Sequence, residues 1–431
     1  MMGTSFKFLT RATDNASLGA FRVLFGLLMF AAVVRFAAKG WIREFYIEPT
    51  YFFTYEGFSW IHPWPVWGMY AHFVLLGVLA LMIAAGVYYR AAVVLFFLGF
   101  TYAELIDKST YLNHYYLVSV LAFLMALLPL DERFVWNPFR RHLPERLAAP
   151  AWVLYALRLQ LGLVYFYAAV AKIHGDWLLR GLPLKFWLAA RADLPVIGPW
   201  IAMPAAALAF SWFGFLFDLT VPFFLLNRKT RTYAFAVVVI FHAMTAVLFR
   251  IGMFPWIMIA TATVFLSPDW PTKLFSRFAR RERRSDRVES SPRRYGWVFA
   301  TAVALHLIVQ VLLPLRHWLY PGDVLWGEEG FRFSWRVMLT EKDGSVSYEV
   351  SDPLSGRRWE IDPKDYLKSY QLKQMSTQPD MIRQLARRIA EDFEAQGYPD
   401  VEVRANAMAS LNGREVKPLI DPNLILAKGD L

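Results

Sequence analysis

The sequence predicts an α-helical polytopic membrane protein, with about nine transmembrane helices and a small C-terminal α+β domain outside the membrane. Three observations predict it. The 431-residue chain is 57% hydrophobic and 17% aromatic but only 19% charged, more apolar than one soluble core requires. Its apolar residues fall into long blocks of about 20, the length a helix needs to cross hydrocarbon. Its charge is unevenly divided: residues 316–431 carry 16 Lys+Arg against 19 Asp+Glu, a balance of −3, while the whole chain carries +11. The expected division is a membrane domain at 1–315 and an extracytoplasmic domain at 316–431.

In chain order, spans are predicted near 17–38, 67–87, 91–107, 115–130, 151–172, 202–226, 232–249, 253–267 and 296–315, of which the third, fourth, seventh and eighth are short. Arg22 and Arg35 interrupt the first, and no small-residue cleavage site follows it, so a retained anchor is expected. With the N-terminus in the cytoplasm, nine crossings put loops 88–90, 131–150, 227–231 and 268–295 inside. These carry Arg90, then Arg133, Arg140, Arg141 and Arg146, then Arg228, Lys229 and Arg231, and finally Lys273 with the arginines of 277–294. All strongly basic short loops therefore fall on one side, as the positive-inside rule requires. The net positive charge reads as orientation and contact with anionic membrane lipids, and nucleic acid is not expected as a partner. The stretch 281–294, rich in Arg and Ser, has the composition of a disordered loop.

The same topology puts the C-terminal domain outside, in the periplasm if the membrane is a bacterial inner membrane. Zero cysteines exclude disulfides and thiol chemistry and are compatible with that location. Phe331 to Thr340 alternates as a strand does, Asp343-Gly344 reads as a turn, and Ser345 to Val350 as its partner strand. Ile382 to Phe393 has helical spacing. Val401 to Ala409 and Glu415 to Ile420 flank Asn412-Gly413, a second hairpin signal.

Lys172 closes the apolar run Ala151 to Ala171. An ammonium is costly at membrane depth and burial drives a lysine towards its neutral form, so this position is the first candidate for a base. A plainer reading is a lysine that snorkels its charge to the interface. His174 and Asp176 follow it, and Asp107, Lys108, Asn113 and His114 lie in the turn between spans three and four, facing the same compartment. An outer site roofed by 39–66, 173–201 and the C-terminal domain would exclude water around an amine and an imidazole, which suits proton abstraction. The plainer readings are an interfacial histidine for His114, a helix cap for Asn113, and an interhelical hydrogen bond for His242. Asp218, Arg158, Gln160 and Glu104 read as interhelical polar contacts, and Phe254 with Met258 as packing one turn apart. No HExxH, Walker A, Rossmann glycine fingerprint or GxSxG elbow is present, so no metal site and no nucleotide site is expected.

At several blocks the sequence resembles the vitamin K-dependent γ-glutamyl carboxylase family, within the wider group of HTTM-domain membrane proteins. The blocks are Leu105-Ile106-Asp107-Lys108-Ser109-Thr110-Tyr111-Leu112-Asn113-His114, Val164-Tyr165-Phe166 through Lys172 to Asp176-Trp177, and Phe241-His242-Ala243-Met244 with Ile251-Gly252-Met253-Phe254. Leu266-Ser267-Pro268-Asp269-Trp270-Pro271 and Phe333-Ser334-Trp335 complete them, in family order over nearly all of 10–425.

The resemblance implies an enzyme that couples quinol epoxidation by O2 to carboxylation of protein glutamate with CO2. The cofactor is reduced vitamin K, phylloquinol or menaquinol, and the partner is a glutamate-containing protein or peptide. It implies that Lys172 deprotonates the quinol, that His114 serves the glutamate deprotonation step, and that Asn113, Tyr165, His242, Phe254, Met258 and Met338 surround the quinone. Where the family often has two adjacent lysines, this chain has Ala171-Lys172. Longer members continue past the position matching Leu431 into a region that grips their substrates, so the resemblance leaves peptide recruitment open. The alternatives are an epoxidase without carboxylation, a non-catalytic quinone-binding membrane protein, and a transporter with a buried proton relay, the last disfavoured by the lack of an inverted repeat.

Overall fold

The computed structural model describes residues 8–136, 147–249, 251–276 and 297–427. Arg140, Arg141, Arg146 and the arginine-rich loop 277–294 lie outside the described residues.

Each predicted span contains a helix. Seven are long and apolar enough to cross a membrane: α1 (Ala16–Ala38), α3 (Val66–Ala85), α4 (Tyr89–Ile106), α6 (Ala151–Val170), α7 (Pro204–Leu226), α8 (Arg231–Leu248), and α10 (Trp297–Leu312) with its 3-10 continuation to Leu319. The fourth and eighth are shorter, α5 (Asn113–Leu127) and α9 (Phe254–Ala262), the latter extended by a 3-10 turn to Phe265. A short α2 (Trp41–Tyr46) follows α1, and a two-stranded ribbon, β1 (Ala12–Asp14) with β2 (Ala148–Pro150), ties the starts of α1 and α6 together.

Arg22 does not snorkel. It is 0% exposed, and its guanidinium donates to the carbonyls of Leu130, Ile83, Ala84, Arg133 and Phe134, so one side chain satisfies orphan carbonyls at the ends of α3 and beyond α5. Arg158 does the same for Val264 and Leu266. Removing the fork leaves several buried carbonyls unpaired, at about 1–3 kcal/mol each. Arg22→Met is therefore expected to lower the thermal unfolding midpoint in detergent by several degrees. Arg22→Lys should rescue little of it, because an ammonium cannot reproduce the planar fork. An unchanged midpoint for Arg22→Met would show that these bonds do not hold the helix ends.

The C-terminal domain is an antiparallel sheet, order β4-β3-β5-β6, under one long helix. Its elements are β3 (Lys342–Ser351), β4 (Arg358–Ile361), α11 (Ser369–Met375), α12 (Pro379–Ala395), β5 (Glu402–Leu411) and β6 (Lys417–Pro418). Pro379 opens α12, where a missing N–H costs nothing, and Ile382, Leu385, Ala386, Ile389 and Phe393 form its buried stripe. They meet Tyr348, Val350, Val403, Ala405 and Ala407 of the sheet.

Two sequence expectations fail here. Phe331–Thr340 is not a strand, and Asp343-Gly344 is not a turn but lies inside β3, paired with Ser410 and Ala409 of β5. The alternation that suggested a strand arises from turns with positive φ at Phe333, Trp335 and Met338, which send aromatic side chains into the membrane domain. Phe333 packs edge-on against Tyr111 and Tyr116, and Trp335 is 1% exposed beside Tyr116. Such backbone costs of order 1–3 kcal/mol per bulky residue and persists only where packing fixes it. Asn412-Gly413 does turn, both with positive φ, and a Cβ on Gly413 would strike the Phe186 ring at 2.7 Å. Only Lys417–Pro418 of the strand expected at Glu415–Ile420 forms.

Candidate active site

Lys172 lies just past the C-terminus of α6, where the last carbonyls lack helical partners. Its Nζ donates to the Ala168 carbonyl at 3.0 Å and to Asp218 Oδ2 at 2.8 Å, and the side chain is buried. It does not snorkel. Asp218 comes from α7, one turn before Pro222. The Trp177 ring stands 5.3 Å from Nζ and is pinned by its own indole N–H, which donates to the Ser211 carbonyl at 2.9 Å.

This ion pair forms part of the wall of an open cavity between α6, α7, α8, α9 and the Val337-Met338 pair. The other walls are nearly all apolar or aromatic, among them Phe213, Phe241, Phe254, Met258 and Met338. Tyr165 Oη and His242 Nε2 share a hydrogen bond of 3.1 Å on the same wall, and His242 Nδ1 is buried with no partner.

Six sequence-selected residues thus line one cavity: Lys172, Tyr165, His242, Phe254, Met258 and Met338. Asn113 and His114 are not on its wall. Asn113 does not cap a helix; its amide accepts from Tyr111 and donates to the Arg336 carbonyl at 3.0 Å, next to Val337 and Met338. His114 lines a neighbouring cavity with Arg35, Tyr46, Glu104 and Tyr115. The Phe254 ring, on the wall of the first cavity, lies 5.9 Å from the ring of His242 and 6.2 Å from that of His114.

Asp107, Lys108 and Asp176, grouped with these by sequence, do different work. Asp107 accepts from Gln371 at 2.8 Å, Lys108 pairs with Asp380 at 2.8 Å, and Asp176 accepts from Asn412 and Arg414. They fasten the C-terminal domain to the membrane domain. His174 sits beside this contact, its imidazole pKa lowered by burial and its Nε2 unpartnered.

The same fastening has an acid limit. Burial works against the Asp380 carboxylate, but Arg332 and Lys108 outweigh it and hold its pKa at about 2. A carboxylate depressed in the folded state stabilises above its unfolded value near 3.9 and loses that contribution as pH falls through the folded one. The contact should therefore loosen between about pH 4 and pH 2, read as faster hydrogen exchange at Lys108–Thr110 after correction for the intrinsic rate. Asp380→Asn should exchange fast at neutral pH with little further change on acidification. A slow, acid-insensitive wild type would rule the pairing out as the fastening.

Asp218 and Trp177 are the residues that sequence reasoning missed as parts of the site. Asp218 lies 46 positions from Lys172, so no local spacing joins them. The only signal was the rule that a buried charge needs a partner.

Comparison with known families agrees with this anatomy. Residues 10–270 match the family model described as HTTM domain, so the class is that of the HTTM membrane proteins. Residues 296–430 match the one described as vitamin K-dependent gamma-carboxylase, lumenal domain. Carrying both in this order, the chain belongs to the vitamin K-dependent γ-glutamyl carboxylase family. That membership implies a carboxylase-type enzyme with a vitamin K cofactor, set in a membrane with an extracytoplasmic domain. No solved structure matches the chain.

The lining has the chemistry to receive the cofactor's ring and hydroxyls. A quinol is a flat apolar ring with hydroxyls at its ends. The walls offer aromatic faces, an amine with its carboxylate, and an imidazole nitrogen that lacks a partner.

Proposed function

We propose that the protein couples oxidation of reduced vitamin K by dioxygen to carboxylation of glutamate side chains. The observation that carries this reading is the buried Lys172–Asp218 pair on the wall of an open cavity lined by aromatic side chains. The pair is electrically neutral as a whole, which avoids the cost of an isolated ion, and its shared proton has two seats, Nζ and Oδ2. Asp218 is placed to take one proton from Nζ across their 2.8 Å hydrogen bond. Lys172 would then take a hydroxyl proton, and the positive charge gained at Nζ is balanced by the negative charge that proton leaves behind, Asp218 being neutral at that point.

When bound, reduced vitamin K supplies together with dioxygen the strong base that a γ-carbon proton demands and no side chain provides. The protein's part is to orient and to keep water out. Tyr165 and His242 would supply hydrogen-bonding groups to the cofactor's hydroxyls, and Phe254, Met258 and Met338 would offer apolar surface to its ring. At the acceptor glutamate one C–H bond breaks and one C–C bond to CO2 forms. Arg336, buried with Nε unpartnered and adjacent to Val337 and Met338, is the cation we assign to the glutamate carboxylate.

The test is direct. Purified protein is given reduced vitamin K, labelled bicarbonate and a glutamate peptide under air, and epoxide and fixed label are measured together. Both products are expected. Epoxide alone would make the protein an epoxidase without carboxylation, and neither would leave a quinone-binding scaffold.

A further inference from the structure

β3 is ten residues long, but the strand beside it is four. β4 covers only Tyr348 to Ser351, after which Asp362-Pro363 turns the chain away. On its other side β3 is paired along its whole length with β5.

The direction of the remaining backbone groups follows from the ladder. The carbonyls of Val403 and Ala407 on β5 accept from Leu426 and Leu419, on the side away from β3. Within a strand the N–H and C=O of one residue point to one side and alternate with the next. The residues of β5 that face β3 are therefore the even-numbered ones, which meet Asp343, Ser345, Ser347 and Glu349 in the observed register. The Asn412 N–H donating to the Glu341 carbonyl at 2.7 Å has the same phase. Lys342, Gly344 and Val346 consequently direct their N–H and C=O groups to the other side, where β4 does not reach.

That side is a groove. It has about 1510 Å³ of open space, floored by residues 342–347 and walled by the Pro363 turn and by α11 with Leu372, Lys373 and Ser376. Gly344 is required there, because a Cβ would lie 2.1 Å from the Ser376 carbonyl oxygen, so the end of α11 closes on the strand only over a glycine. The groove also leads somewhere. β3 starts four residues after Met338, roughly 13 Å of extended chain from the wall of the Lys172 cavity.

We propose that this open edge of β3 is a strand-addition site for the polypeptide that carries the acceptor glutamate. The proposal rests on the carboxylase reading for what the peptide is for, not for whether it binds. An extended segment of about six residues continues the line of β4 and takes the backbone bonds of Lys342, Gly344 and Val346. Main-chain bonding gives affinity, and alternate side chains meet the α11 wall. Continuity with the cavity selects this occupant over a second copy of the chain, because a peptide docked here presents its next few residues to Met338 and Arg336.

The test uses cofactor-free protein in detergent and a fluorescent probe: a peptide of alternating valine and threonine, about six residues long, joined by a short glycine–serine spacer to one glutamate. Anisotropy should show saturable binding, and hydrogen exchange should slow at Gly344 and Val346. N-methylation of one alternate set of probe amides should weaken binding about tenfold or more, and methylation of the other set should change it little, because only one set faces β3. That alternation is a signature that groove filling without strand pairing does not give. No saturable binding, equal sensitivity of both sets, or protection at 342–347 arising only from self-association of the protein would each overturn the proposal. If the alternating signature appears while neither epoxide nor fixed carboxylate forms with reduced vitamin K, the docking edge stands and the carboxylase reading falls.

Discussion

Lys172→Met is expected to lower epoxide formation by about 10³-fold or more, and to take carboxylation down with it, while the protein stays folded and inserted. The magnitude is that of removing a positioned general base, 10²–10⁴ in rate. Among the described groups on the cavity wall, the other ionisable side chains are Tyr165, His242 and Asp218, and the first two already share a hydrogen bond.

Methionine removes the charge but leaves Asp218 buried and alone, a state that costs several kcal/mol unless the carboxyl stays protonated. The double variant Lys172→Met, Asp218→Asn removes that complication and should be as inactive and better folded. Asp218→Asn by itself leaves an amine with no carboxylate to share its proton, and should shift the pH dependence of quinol oxidation as well as its rate. Epoxide formed at the wild-type rate by either lysine variant would remove Lys172 as the base.

Much of the fold was legible because lipid imposes it. A segment that must satisfy its own backbone in hydrocarbon is helical, and seven of the nine expected spans hold helices long and apolar enough to cross, while those at Asn113–Leu127 and Phe254–Phe265 fall short of that length. The α12 stripe was legible for the same periodic reason. Phe331 to Thr340 misled because apolar residues at every second position are produced equally by a strand and by a run of left-handed turns pushed into an aromatic cleft. Only the partner surface, Tyr111 and Tyr116, distinguishes them, and it is more than two hundred residues away.

The site divides in the same manner. Lys172 stood out because a lone cation ends an apolar run. Asp218 did not, since one acid in a helix gives no hint of which neighbour it meets. Asp107, Lys108 and Asp176 looked like chemistry because they share a compartment with Lys172, yet their partners are Gln371, Asp380, Asn412 and Arg414 of the C-terminal domain. Compartment is readable from topology, but contact is not.

His114→Ala is expected to separate the two half-reactions: fixed label should fall by about 10²-fold while epoxide stays within a few-fold of wild type. The geometry motivates the asymmetry. His114 is not on the wall that holds Lys172 and Asp218, and its ring lies 6.2 Å from that of Phe254, so its loss leaves the quinol-oxidising pair and the Tyr165–His242 bond in place. Its own cavity holds Glu104, Tyr46 and Tyr115, polar groups able to move a proton that are not in contact with Nζ. His242→Ala supplies the contrast, because His242 is on the Lys172 wall and its removal frees Tyr165. It should depress both products together. Equal loss of both products in His114→Ala would place that histidine in quinol oxidation instead.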